Sequence, residues 1–160
     1  MAVADEVKAA NERYAQEFAK GNLPMPPGRR FAVVTCMDAR LDPARFLGLE
    51  EGDAHVIRNA GGIVTDDALR SLVISHHLLG TQEALVIGHT DCGMLTFTDD
   101  ELRERLGPDA AAVEFHAFPD LEGRVRQSVA AIRDSPLLPE SFGARGYVYD
   151  VRSGRLEDVA

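Results

Sequence analysis

Phe31-Ala-Val-Val-Thr-Cys36 decides the fold: six residues without a charge, rich in β-branched side chains and apolar at consecutive rather than alternating positions. A run of this length and character is expected of a strand buried on both faces. Ala54-His-Val-Ile57 and Ala84-Leu-Val-Ile87 share it, and each follows a segment that can be helical. Alternating strands and helices predict an α/β fold with a mainly parallel central β-sheet flanked by helices.

Working outward, the strongest helix is expected over residues 66–79. Asp66 and Asp67 suit the positive end of the helix dipole, Gly80 permits a stop, and Leu69, Leu72, Val73, His76, His77 and Leu79 would cover the sheet. Thr98 and Glu101 have the spacing of a capping box, Gly107 can close that short helix, and a further helix is expected from about Asp120 to Asp134. Tyr147 to Val151, the turn Arg152-Ser-Gly154 and Arg155 to Val159 read as a strand, a tight turn and an edge strand. At the start, residues 3–20 place Val7, Ala10, Tyr14 and Phe18 at helical spacing, giving one apolar stripe that needs a cover from its own domain or from a partner. Pro24-Met-Pro-Pro-Gly28 breaks the chain between this helix and the first strand.

A chain of 160 residues with 45% hydrophobic content suits one domain, residues 1–160. With 17 basic against 26 acidic residues, a net charge of −9 and no basic stripe, nucleic acid is not an expected partner. The charges among the first 20 residues interrupt any signal-peptide core. Nowhere do about 18 apolar residues run together as a membrane span requires. The expectation is a cytoplasmic protein in which Cys36 and Cys92 stay reduced.

Cys36 falls at the carboxyl end of the first strand, and His89 and Cys92 immediately follow the third. Open parallel sheets bind ligands at the carboxyl ends of their strands, so segments far apart in sequence can converge there. Two thiolates and an imidazole suit zinc and leave a fourth position open, as in catalytic sites. Asp38 can reach such a metal or its water, and Arg40 can hold Asp38 in a bidentate pair, although the same two residues also fit a surface ion pair. The paired glycines of Arg58-Asn-Ala-Gly-Gly62 suggest close backbone approach. His55, His76, His77 and His116 are assigned to no metal, though one could relay protons. In the stretch from Ala110 to Phe118, anchoring of Val113, Phe115 and Phe118 to the core is favoured over a lid.

Cys36-Met-Asp-Ala-Arg40, Arg58-Asn-Ala-Gly-Gly62 and Gly88-His-Thr-Asp-Cys-Gly93 together resemble the three signature blocks of β-carbonic anhydrases, in order and at compatible spacing. The resemblance covers about Phe31 to Thr98. It implies Cys36, His89 and Cys92 as ligands of one Zn2+ per subunit, and Asp38 with Arg40 as the catalytic dyad. Asp38 becomes a fourth ligand if the site closes. It implies reversible hydration of carbon dioxide to bicarbonate and a proton by zinc-bound hydroxide; because two thiolates would offset the metal's charge, activity is expected to rise on the alkaline side of neutrality. It also implies a homodimer or tetramer, with a protruding amino-terminal helix packed on a partner subunit. Some members use a tryptophan in a noncatalytic bicarbonate pocket; this chain has none, so that form of inhibition is not expected.

Three other readings share these residues. A carbon disulfide or carbonyl sulfide hydrolase would keep scaffold and metal and change the substrate. A noncatalytic, bicarbonate-responsive zinc module would have Asp38 permanently in the fourth position. A redox protein would use Cys36 and Cys92 as a reversible pair.

Overall fold

In the computed structural model, which describes residues 2–160, the chain runs α1 (Val3–Glu17), β1 (Phe31–Cys36), α2 (Pro43–Leu47), β2 (Ala54–Asn59), α3 (Asp66–Leu79) and β3 (Glu83–His89). It continues through α4 (Asp99–Leu106), α5 (Leu121–Arg133), β4 (Gly143–Tyr149) and β5 (Leu156–Asp158), with single 3-10 turns at Gly93–Leu95 and Pro108–Ala110. The five strands form one sheet in the order β2-β1-β3-β4-β5. The first four are parallel and β5 returns antiparallel to β4, so the expected α/β architecture is present.

The register shows why the apolar runs differ from alternating strands. β1 lies between β2 and β3, and Ala32 to Cys36 are all buried. One face of the sheet, carrying Ala32, Val34, Ala84, Val86, Ala144 and Val148, packs against Leu72 of α3 and Val125, Val129 and Ile132 of α5. Gly88 makes that packing close. A Cβ there would lie 2.8 Å from Val125 Cγ2 and 2.9 Å from Leu121 Cδ1, so α5 approaches β3 where β3 has no side chain. On the opposite face, Phe46 of α2 stacks on Tyr149 at the end of β4, with ring centroids 4.4 Å apart.

Helix boundaries follow local chemistry. Thr65 caps α3 by accepting from Ala68 N, and Gly80 ends it in the left-handed conformation. Thr98 and Glu101 form the expected capping box on α4. Several expected bounds shift. α1 stops at Glu17 rather than residue 20. β2 extends to Asn59, and β3 extends to include His89, because parallel pairing with β1 and β4 continues past the apolar runs. β4 begins at Gly143 and ends at Tyr149, earlier than Tyr147 to Val151, since pairing with β3 recruits Gly143-Ala-Arg-Gly146 despite its weak strand propensity. His77 does not cover the sheet: it is exposed and its Nε2 meets the Leu137 carbonyl at 2.7 Å.

No residue of α1 is buried. Val3, Val7, Tyr14 and Phe18 are exposed, and the helix is tied to the body near its end, where Tyr14 donates to Glu51 Oε1 at 2.5 Å and Lys20 pairs with Glu51. The apolar stripe is therefore uncovered within the chain.

Candidate metal centre

The chain leaves β1 to enter β2 on one side of the sheet and later enters β3 on the other, so the carboxyl ends of β1 and β3 flank the topological switch point. Cys36 ends β1 and His89 ends β3. Cys92 follows at the first residue before the 3-10 turn. Their ligand atoms lie within 4.8 Å of one another, and all three residues are buried: Cys36 is 5%, His89 0% and Cys92 2% exposed.

The donor set is oriented as a metal site requires. His89 Nδ1 lies 2.8 Å from the Thr90 carbonyl, which can only accept, so the proton sits on Nδ1 and Nε2 presents a lone pair. That Nε2 is buried and has no hydrogen-bond partner. An orphaned buried imidazole nitrogen beside two thiols is costly unless something else coordinates it. Backbone N–H groups of Asp38 and Gly61 point at the Cys36 sulfur, and that of Met94 at the Cys92 sulfur. Without a cation the two thiols cannot both ionise easily. A hydrogen bond from Cys92 holds Cys36 below the ordinary thiol range against the cost of burial. The same contact, then burial, pushes Cys92 well above the ordinary thiol range. A dication bound to both sulfurs removes that conflict.

Asp38 and Arg40 lie beside the cluster. Arg40 grips Asp38 through Nε to Oδ1 at 3.0 Å and NH2 to Oδ2 at 2.8 Å, while Arg40 N also donates to Oδ1 at 2.9 Å. These bonds hold the Asp38 carboxyl well below the usual carboxylate range. Asp38 Oδ2 is 3.7 Å from His89 Nε2, close to the lone pair but turned toward the guanidinium. Cys36, Asp38, Cys92, Gly61, Met94 and Phe97 border a cleft of about 360 Å³, largely apolar in its walls.

The Arg58 to Gly62 block supports the loop that follows Cys36. Arg58 donates to the Cys36 carbonyl at 2.9 Å and to the Asp38 carbonyl at 2.8 Å. Asn59 closes the turn, its Oδ1 accepting from Ile63 N at 3.0 Å and its Nδ2 donating to Ile63 O at 2.8 Å. Gly62 has φ +63°, and a Cβ there would lie 2.7 Å from Cys36 N, so neither the conformation nor the space admits a side chain. Sequence reasoning foresaw the close approach but not the role of Arg58, whose partners are carbonyls and leave no mark in side-chain spacing.

The four other histidines are engaged elsewhere or stand apart. His55 Nδ1 meets Ser75 Oγ at 2.6 Å, His76 Nδ1 meets the Thr81 carbonyl at 2.7 Å, His77 meets Leu137, and His116 borders a separate hollow with Ile57 and Ile63. Asp91 was not singled out in the sequence, yet it receives two hydrogen bonds from Arg40. Phe118 joins the cluster of Cys36, Leu41, Cys92 and Met94 and anchors its end of the loop beside the site, whereas Val113, also expected to anchor it, is exposed. Asp99 fixes that loop by accepting from the backbone N–H groups of Phe115, His116 and Ala117 at 2.8, 3.2 and 2.8 Å.

The profile of the carbonic anhydrase family matches residues 31–114. Beta-carbonic anhydrase 1 of Mycobacterium tuberculosis is 49% identical over 99% of this chain and 99% of its own. The crystal structure of carbonic anhydrase from Streptococcus mutans superposes with a TM-score of 0.93 at 46% identity, covering 100% of this chain and 99% of that one. A carbon disulfide hydrolase of Acidianus is 37% identical over 91% of this chain and 83% of its own.

Proposed function

The chain belongs to the β-carbonic anhydrase family, and we propose that it hydrates carbon dioxide reversibly to bicarbonate and a proton at one zinc ion per subunit, held by Cys36, His89 and Cys92. The observation that carries the reading is the buried convergence of two sulfurs and an unpartnered imidazole nitrogen at the mouth of an apolar cleft, with a clasped carboxylate alongside. Zinc in such a shell supplies a Lewis acid that lets water lose a proton near neutral pH. Held by Cys36 and Cys92 as thiolates, the ion would supply that acidity at more alkaline pH than in a shell of neutral imidazoles.

Asp38 and Arg40 do the rest of the chemistry assigned to the chain. Carbon dioxide and water give bicarbonate and one proton. Asp38, ionised throughout the working range, offers only acceptor oxygens, so it orients the reacting water and receives its hydrogen bond. With its affinity for protons held low by Arg40, Asp38 stores none, and the released proton passes to solvent buffer. Arg40 holds both carboxylate oxygens, which keeps Asp38 from closing the fourth position. The apolar walls of the cleft suit a small apolar substrate.

Stopped-flow carbon dioxide hydration on protein of verified zinc content tests the reading. Turnover rising from neutral into alkaline pH is expected; zinc-loaded protein without hydration at any pH would overturn it. The 37% identity to a carbon disulfide hydrolase keeps carbon disulfide or carbonyl sulfide as a second reading, and hydrogen sulfide release from either substrate is the assay that distinguishes them.

The same proposal includes a homodimer, alone or paired into a tetramer, in which α1 packs across the partner. Its support is the uncovered stripe of Val3, Val7, Tyr14 and Phe18. A cytoplasmic setting is supported by the two free cysteines, and no helix among the described residues is long and apolar enough to cross a membrane.

A further inference from the structure

Asp38 and Arg40 are two residues apart on one loop, so their mutual bonds do not by themselves fix the pair against the other ligand-bearing segment. Asp91 supplies that connection. It lies between His89 and Cys92, accepts from Arg40 NH1 through Oδ2 at 2.8 Å, and accepts from Arg40 NH2 through its own carbonyl at 2.9 Å. Its backbone takes φ +55°, the left-handed region that L side chains other than asparagine and aspartate seldom enter. That conformation presents the Asp91 carbonyl and carboxylate to the same guanidinium. The Asp91 carboxylate is 72% exposed and the Arg40 side chain 48% exposed, so burial does not explain the geometry. The contact is a two-point latch across the gap between the β1 and β3 loops.

We propose that Asp91 is a positioning residue that latches Arg40 and thereby keeps Asp38 out of the fourth coordination position of the metal. The proposal rests on the reading that Cys36, His89 and Cys92 hold the ion. Asp38 Oδ2 is already 3.7 Å from His89 Nε2, so a small swing of the loop suffices to close the site once Arg40 is free to move with it. Asp91 does not border the cleft, and its side chain bonds Arg40; it acts through Arg40.

The test uses full-length protein loaded with cobalt(II) in place of zinc and follows azide binding by visible absorption, which reads the exchangeable position independently of turnover. Asp91→Gly is the informative variant because glycine accepts φ +55° without strain and only the side-chain half of the latch is lost. Cobalt content is expected to stay at one per chain while azide affinity falls about 10- to 100-fold, the range expected for loss of a supporting contact beside a metal. Adding Asp38→Ala to Asp91→Gly should restore azide binding, since the competing carboxylate is then gone. Unchanged azide affinity in Asp91→Gly would overturn the proposal, and so would a loss that Asp38→Ala does not reverse, which would mark a collapsed loop. Wild-type protein that takes up no cobalt or zinc would overturn the metal reading itself and is a separate outcome.

Discussion

Cys36 ends a strand and begins a loop, so the sheet fixes its backbone while its sulfur faces the cleft. Serine at Cys36 or Cys92 keeps the shape but replaces a soft donor by a hydroxyl that stays protonated near neutrality. Metal content measured by mass spectrometry is expected to fall from about one per chain toward zero. Arg40→Ala is expected to retain zinc and to lose about 10- to 100-fold in kcat/KM, because Asp38 then lacks the groups that orient it. The pH behaviour of Asp38 follows from its bonds. Its folded pKa lies below the unfolded value of about 3.9, so its stabilising contribution is complete above that value and is lost as pH falls through the lower folded one. Titration of Asp38 therefore belongs to the acid side, and the alkaline rise in hydration expected of the proposed function is not its signature.

At the scale of elements, the candidate site is shaped by segments that carry none of Cys36, His89 and Cys92. The turn after β2 passes so close to β1 that Gly62→Ala must displace the backbone at Cys36, whose N would lie 2.7 Å from the new Cβ. With positive φ added, a cost of about 1–3 kcal/mol is expected, read as a fall in midpoint on thermal unfolding, accompanied by reduced metal retention. Asp99, at the first position of α4, receives three successive N–H groups from the loop that carries Phe118 into the cluster around Cys36 and Cys92. Asp99→Asn is expected to destabilise the protein by about 1–3 kcal/mol at neutral pH, as loss of hydrogen bonds to a charge does. The folded pKa of Asp99 is depressed, first by its bond from Ala117 N, so the wild-type advantage should shrink as pH falls below about 4. A difference between the two proteins that persists unchanged at acid pH would argue against the carboxylate as the anchor.

For the whole molecule, the unpaired feature is α1. It buries none of its residues and is tied down near Tyr14 and Lys20. Deleting residues 2–20 removes few contacts from the body, so the truncated chain should keep its fold by circular dichroism. If α1 packs across a partner, sedimentation should show the dimer giving way to monomer; an unchanged sedimentation mass would assign the interface elsewhere.

The apolar runs at residues 31–36 and 84–87 already marked the buried centre of a parallel sheet, because strands shielded on both faces tolerate consecutive apolar residues, whereas the similar run at 54–57 became the edge strand β2, with Val56 exposed. The order of Cys36, Asp38, Arg40, His89 and Cys92 along the chain gave the donor types, since zinc chemistry depends on sulfur and imidazole wherever the backbone carries them. Strand ends were less legible: Gly143 to Gly146 has little strand propensity and joins β4 through pairing with β3. The contacts of Arg58 with the Cys36 and Asp38 carbonyls, the Asp91 latch on Arg40 and the nest around Asp99 were decided by tertiary structure alone. Each joins a side chain to distant backbone or to a separate loop, and backbone amides and carbonyls are the same at every residue, so no spacing in the sequence announces which of them will be met.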